Sequence, residues 1–216
     1  MDRQAFLDRV REALSGAEVP PLPEAFPPTP ASAPDAGPER FLRALEAASG
    51  TGELLDRGAL AEAIARHATS LPSNDRSAVV TPDADPFAGP IDAGLAEAGF
   101  DVIRPADGAS WRRAASTAAL AVTSARLGVA ATGSVLVVSG ASSPRAATIL
   151  PEHHLVLLPA ERLVASLEDA MPAIASAAAE SSAPFLMTGP SRTSDIEMQM
   201  VVGAHGPRSV HVLLVR

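Results

Sequence analysis

The sequence predicts an α/β domain built on a single, mostly parallel sheet with helices on both faces, entered through a short helix and a proline-rich arm. Three observations predict it. Strand-like apolar runs at residues 77–80 and 100–103 enclose a helical pattern, the alternation that packs helices against a parallel sheet. Pro20, Pro21, Pro23, Pro27, Pro28, Pro30, Pro34 and Pro38 fall so densely that neither helix nor central strand fits among them, which leaves an extended arm. The length, 216 residues, suffices for one well-buried core and is too short for two generous ones. The expected division is therefore an arm over residues 1–38 and a globular domain over 39–216.

Each element follows from its local pattern. Residues 2–15 carry Phe6, Leu7, Val10, Ala13 and Leu14 on one helical stripe, with Asp2 suited to cap the start and Gly16 to end it. An apolar helix on a semi-rigid tether needs a surface to cover, so it is expected to dock on its own domain or across a homo-oligomer. Pro38 suits the first position of a helix bearing Phe41, Leu42 and Leu45. A second helix is read over 59–67, with Leu60 and Ile64 inward. Ile91, Leu95 and Ala98 mark a third, closed by Gly99. From residue 118 the pattern changes: 120–123, 127–130 and 135–138 are β-like runs too close together for helices between them, so a hairpin or meander is inserted in, or attached to, the main sheet. Residues 155–158 read as a strand, 161–180 as a helix interrupted near Pro172, 185–187 as a strand, 196–202 as a short helix and 210–215 as the closing strand.

Composition narrows the chemistry. The formal net charge of −8 opposes phosphate backbones and anionic membranes, so nucleic acid is not an expected partner. Cysteine and tyrosine are absent, and all seventeen basic residues are arginine. The chain therefore offers no thiolate nucleophile or cluster ligand, no Schiff-base lysine and no phenolic acid. Any catalysis falls to Ser, Thr, Asp, Glu, His or Arg. The first nine residues mix both charges without an apolar leader, and no apolar run approaches the ~20 residues of a membrane span. These features predict a cytoplasmic protein without a membrane span.

Chemistry concentrates in two loops. The run Thr188-Gly189-Pro190-Ser191-Arg192-Thr193-Ser194-Asp195-Ile196-Glu197 leads from a strand through a glycine turn into a helix start. Gly189, Ser191, Thr193 and the Arg192 guanidinium are placed to hold a carboxylate or phosphate. Ser194 and Glu197 match a capping box, a structural duty, and Asp195 in the first turn suits the helix dipole as well as it suits catalysis. The second loop, Gly203-Ala204-His205-Gly206-Pro207, exposes a histidine on a tight turn. In a parallel βαβ unit these two loops lie at opposite ends of the sheet, so Ser191 and His205 meet only if the short helix fails to cross it, or across a subunit boundary. Thr132, Gly133 and Ser134 form a hairpin turn or line a pocket, and Arg145 is a candidate anion clamp. His153 and His154, adjacent on a strand, point to opposite faces and cannot share a metal; no metal site is expected.

In order and spacing, Thr132-Gly133-Ser134, Arg145, Leu150-Pro151, the 189–197 run and the 203–207 turn resemble the LUD domain family, the group of lactate utilization protein C (LutC, YkgG). The likeness spans nearly half the chain, from about residue 120 to the end, and the short N-terminal helix with its arm is similar too. One position departs: the acidic residue usual before Thr-Gly-Thr is here Ala131, and Ser134 stands for the last Thr. The resemblance implies a sheet of the NagB/RpiA/CoA transferase-like group and a part in oxidising L-lactate to pyruvate beside iron–sulfur subunits, with no cofactor bound by this chain. Candidate catalytic residues are then Asp195 and His205; candidate binding residues are Thr132, Gly133, Ser134, Arg145, Gly189, Ser191, Arg192 and Thr193. Two other readings stand beside it: an isomerase- or transferase-like enzyme using Asp195 or Glu152 as base or nucleophile, and a regulatory scaffold that keeps the fold.

Overall fold

The computed structural model describes residues 2–16, 36–140, 144–181, 183–193, 201–203 and 205–216. The chain divides into two compact units between residues 33 and 34. In the first, α1 (Arg3–Leu14) forms where the periodicity places it and ends at Gly16, whose φ of 96° suits a residue without Cβ. Asp2 occupies the N-cap position, but its side chain makes no capping bond, contrary to expectation.

The second unit runs α2 (Pro38–Ala47), β1 (Thr51–Leu55), α3 (Leu60–Ser70), β2 (Ser77–Val80), α4 (Ala88–Glu97), β3 (Asp101–Ile103), α5 (Gly108–Thr117), β4 (Leu120–Ser124), β5 (Leu127–Val129), β6 (Ser134–Ser139), α6 (Arg145–Ile149), β7 (His153–Pro159), β8 (Leu163–Val164), α7 (Leu167–Glu180), β9 (Ala183–Met187), β10 (Arg192–Thr193), β11 (Val201–Val202) and β12 (Ser209–Val215). Six strands form an all-parallel sheet in the order β1-β12-β7-β4-β2-β3. The meander builds a second sheet, β8-β5-β6-β9, mainly antiparallel.

Strand alternation sorts the core into two layers. Val80, Leu120, Val122, Leu155, Leu157 and Leu213 face α3 and α4, packing on Leu60, Ile64, Ile91 and Leu95. Val156, Leu158, Val212 and Leu214 face the other way, onto Phe41 and Leu45 of α2 and onto Val135 and Val137 of the second sheet. Farther along the same face, Val79 and Ala121 meet Trp111 and Ala115 of α5. Every residue of β7 is buried, as befits a central strand covered on both sides. The predicted fold class stands.

Three elements differ from expectation. Residues 163–164 are strand, and α7 starts only at Leu167, where Ser166 and Asp169 close a capping box. The helix then continues through Pro172 instead of breaking there. Val201 and Val202, expected to end a short helix, pair with Thr193 and Arg192 as a hairpin. The capping box at Ser194 and Glu197 lies outside the described residues.

Candidate functional site

The Thr132-Gly133-Ser134 turn joins β5 to β6, with the Gly133 amide bonded to the Val129 carbonyl at 2.9 Å. Gly133 has φ 67°, and a Cβ there would lie 2.2 Å from the Leu45 backbone nitrogen. The space is thus taken by α2 rather than left for a ligand. Gly189, with φ 79°, repeats the arrangement: its missing Cβ would sit 2.4 Å from the Ala48 carbonyl oxygen. Both glycines fit their turns around the end of the same helix.

The β6–β9 pairing sets Ser134 beside Thr188, and the hydroxyls of Thr132, Ser134 and Thr188 form a chain with links of 2.6 and 2.5 Å. Ser134 is fully buried in that chain while Thr132 and Thr188 reach the surface. The Ser191 amide donates to the Pro207 carbonyl at 2.9 Å, and the Gly203 amide to the Ser191 carbonyl at 2.8 Å. These bonds overturn the topological expectation about Ser191 and His205. The antiparallel pairing of β10 with β11 sets the two loops side by side, and both close on the same spot. Together with Thr148, Phe185 and Thr188 they line a cavity of about 290 Å³ with a mainly apolar wall.

The predicted arginines stand outside that wall. Arg192 is exposed and donates through Nη1 to Ser49 Oγ at 3.2 Å. Arg145, also exposed at the start of α6, lays its guanidinium over the Phe185 ring at 5.2 Å, on a residue that does line the cavity. Thr193 contributes backbone to the hairpin. Asp195 lies outside the described residues. Glu152, the alternative base, is exposed and pairs with Arg208 at 3.7 Å.

Histidines form a separate group that pattern reading did not single out as a unit. The rings of His67 and His211 stack at 4.2 Å, and His211 Nδ1 shares a hydrogen with Thr51 Oγ1 at 2.7 Å. His153 Nδ1 meets Ser209 Oγ at 2.7 Å, whereas His154 Nε2 meets Thr123 Oγ1 at 2.9 Å on the opposite face, as strand alternation requires. Burial pushes His154 down to about 4; burial, then the neighbouring His211 and His153, push His67 down to about 3. His153 and His211 are also lowered, first by burial. All four are neutral at pH 7. The contacts between α3 and the strand ends are the only signal of this cluster, and sequence distance hides them. Among the described residues, no group of three or more histidine or carboxylate side chains is placed to hold a metal ion. No helix among them is long and apolar enough to cross a membrane.

Residues 56–215 match the model of the LUD domain. The chain belongs to that family. Lactate utilization protein C of Deinococcus radiodurans is 28% identical over 214 residues, covering 97% of this LUD chain and 93% of that one. The protein of the same name from Bacillus subtilis is 30% identical over 105 residues, 47% of this chain and 44% of its own. Uncharacterized protein YkgG of Escherichia coli is 34% identical over 115 residues, half of each chain (51% and 50%). A crystal structure of a DUF162 family protein from Deinococcus radiodurans shares the LUD chain's fold with a TM-score of 0.58 at 20% identity, over 82% of this chain and 95% of that one.

Proposed function

We propose that this chain is the subunit without an iron–sulfur cluster of an L-lactate utilization system, and that it works beside iron–sulfur subunits while binding a small carboxylate. One observation carries the reading: the similarity to lactate utilization protein C of Deinococcus radiodurans extends over 97% of this chain. The cavity between the second sheet and the 203–207 turn suits a short-chain carboxylate. Its apolar wall, including Phe185, accepts a methyl group, and the hydroxyls of Thr148, Thr188 and Ser191 offer hydrogen bonds to a polar end. His205 lies at the same cavity and can accept or donate a proton there. Oxidation of L-lactate to pyruvate releases two electrons and two protons. With no cysteine in 216 residues, this chain has no thiolate to ligate a cluster, so the electrons pass to clusters held by partners. The exposed Arg192 and Arg145 beside the cavity provide positive charge at its approach.

Affinity capture from cells grown on L-lactate tests the proposal. Iron–sulfur subunits are expected to co-purify with the full chain, and a deletion strain is expected to lose growth on L-lactate alone. Normal growth of that strain would sink the reading.

A further inference from the structure

A second concavity, unrelated to either sequence motif, lies at the other end of the parallel sheet. The strand order β1-β12-β7-β4-β2-β3 makes the chain part in two directions there. From the carboxyl end of β2 it proceeds to β3 on one side; from the carboxyl end of the adjacent β4 it proceeds toward β7 on the other. Open α/β sheets take their ligands in the crevice outside strand ends where connections diverge in this way. A crevice of about 450 Å³ opens at this divergence, within the size range of small-molecule sites. Most of its wall comes from segments at strand ends, with Asp83 after β2, Ser124 and Arg126 at the end of β4, Ser139 at the end of β6 and Arg162 after β7; Glu180 and Ser181 at the end of α7 complete it.

Ser139 is the decisive residue. Val135, Val137 and Ser139 share the face of β6 that looks toward the main sheet; the two valines fill the core between the sheets. One step farther the core ends and the crevice begins, and there the sequence places a serine. Ser139 is 2% exposed, and its hydroxyl has no hydrogen-bond partner among the described residues. A buried hydroxyl left unpaired costs stability, so its presence at the wall of a cavity needs a reason. The charged groups divide into occupied and available. Arg126 gives two bonds of 3.1 Å to Glu180, and the Asp83 carboxylate accepts the Thr81 hydroxyl. Arg162, exposed and in the crevice wall, makes one long bond among the described residues, 3.4 Å to the Ala125 carbonyl.

We propose that this crevice binds a small hydroxylated organic anion, with Arg162 on the negative group and Ser124 and Ser139 on the hydroxyls. Arg162 supplies a fork that fits carboxylate or phosphate alike. The serines and the Asp83 carboxylate supply partners for hydroxyl groups and none for an apolar chain. The site stands apart from the cavity at Ser191, with which it shares no lining residue.

The test is a titration of the isotope-labelled full chain, followed by amide resonances, with glycerol 3-phosphate, D-glycerate and glycerol as probes. Saturable shifts are expected at Ala125, Arg126, Ser139 and Gly140 with at least one of the two anions, which also identifies the anionic group preferred, and not with glycerol. Arg162→Ala is expected to weaken the binding at least tenfold. Ser139→Ala is expected to weaken it several-fold while leaving the Tm of the free chain unchanged or higher, because the hydroxyl removed has no partner to lose. Three outcomes would overturn the proposal: no saturable shift at these amides with any probe, shifts confined to Ser191 and Gly206, or Ser139→Ala lowering the free-chain Tm with binding intact.

Discussion

The two ends of the parallel sheet are built on opposite principles. At the amino ends of β1, β7 and β12 the interior is closely packed, and charge (Arg145, Glu152, Arg192) stays at the rim of the cavity or outside it. His67, His153 and His211 lose much of their water there, with His67 and His153 in the wall of a cavity of about 370 Å³, and two glycines are pressed against the backbone around α2. At the carboxyl ends of β2, β4 and β7 charged side chains remain in contact with solvent around an open crevice, and Gly140 has nothing within 4 Å of where a Cβ would stand. The difference teaches that the sequence motifs with the most glycine, serine and threonine serve two purposes at the packed end. They shape a cavity, and they let a helix approach.

The largest effect expected from this contrast is at a glycine. Gly133→Ala places a Cβ 2.2 Å from the Leu45 nitrogen at a φ of 67°, and the atom in its way is backbone that cannot swing aside. The left-handed conformation alone costs about 1–2 kcal/mol, and displacing α2 adds packing loss, so a destabilisation of roughly 3 kcal/mol or more is expected. Gly140→Ala, at the open end, is expected to stay within about 0.5 kcal/mol. Equal Tm losses for the two variants would erase the distinction between the ends.

The next effect follows proton uptake. Histidine that is buried and neutral in the fold, with its pKa lowered to about 4 at His154 and about 3 at His67, titrates near 6.5 in the unfolded chain. The unfolded state then binds more protons than the folded one between these values. Stability is therefore fully present above pH 6.5 and lost as pH falls from there toward 4 and 3. For His154 the shift is worth roughly 3 kcal/mol at the low end of the window. Chemical denaturation at pH 7.5, 6, 5 and 4 checks it. Replacing His154 by Gln, which keeps a hydrogen-bonding group toward Thr123 without a titrating ring, should flatten the profile. A profile level from pH 7.5 to 4.5 in the parent chain would show that these rings are hydrated after all.

How much of this was legible from residues alone varies with the kind of signal. Apolar runs such as 77–80 and 155–158 announced the central strands because burial on both faces leaves no polar alternation to confuse them. The edge strand β1 carries no such run: Gly52 interrupts its pattern, a gap that exists because a Cβ would lie 2.6 Å from the Val212 carbonyl oxygen. The sequence signal of helix α5 is the three-residue spacing of Asp107 and Ser110, which form a capping box. In the candidate site, residue types mark Ser191 and His205, but a helical pattern over 196–202 separates them by a crossover, whereas β10 and β11 pair antiparallel. Ser139, at the end of a valine-rich strand, carries no local pattern. Its meaning depends on Ser124 and Arg162, which the fold brings in from other strand ends.

The smallest effect on stability concerns Arg192, and it carries the most weight for function at the packed end. The side chain is exposed and makes one bond, 3.2 Å, to the exposed Ser49 hydroxyl, itself on a residue with φ 67° at the end of α2. Losing one such surface bond is expected to change stability by no more than about 0.5 kcal/mol. Removing the positive charge beside the Ser191 cavity acts differently, since attraction between an arginine and an arriving carboxylate is long-ranged and screened by salt. If the cavity takes L-lactate as proposed, Arg192→Ala is expected to weaken that binding while melting within a degree or two of the parent chain, and the deficit should shrink as salt is raised. Calorimetric titration at low and high ionic strength checks this against the Tm. A variant that binds L-lactate as the parent does would assign the guanidinium to Ser49 alone, and the packed end would then keep its cavity without an electrostatic guide to it.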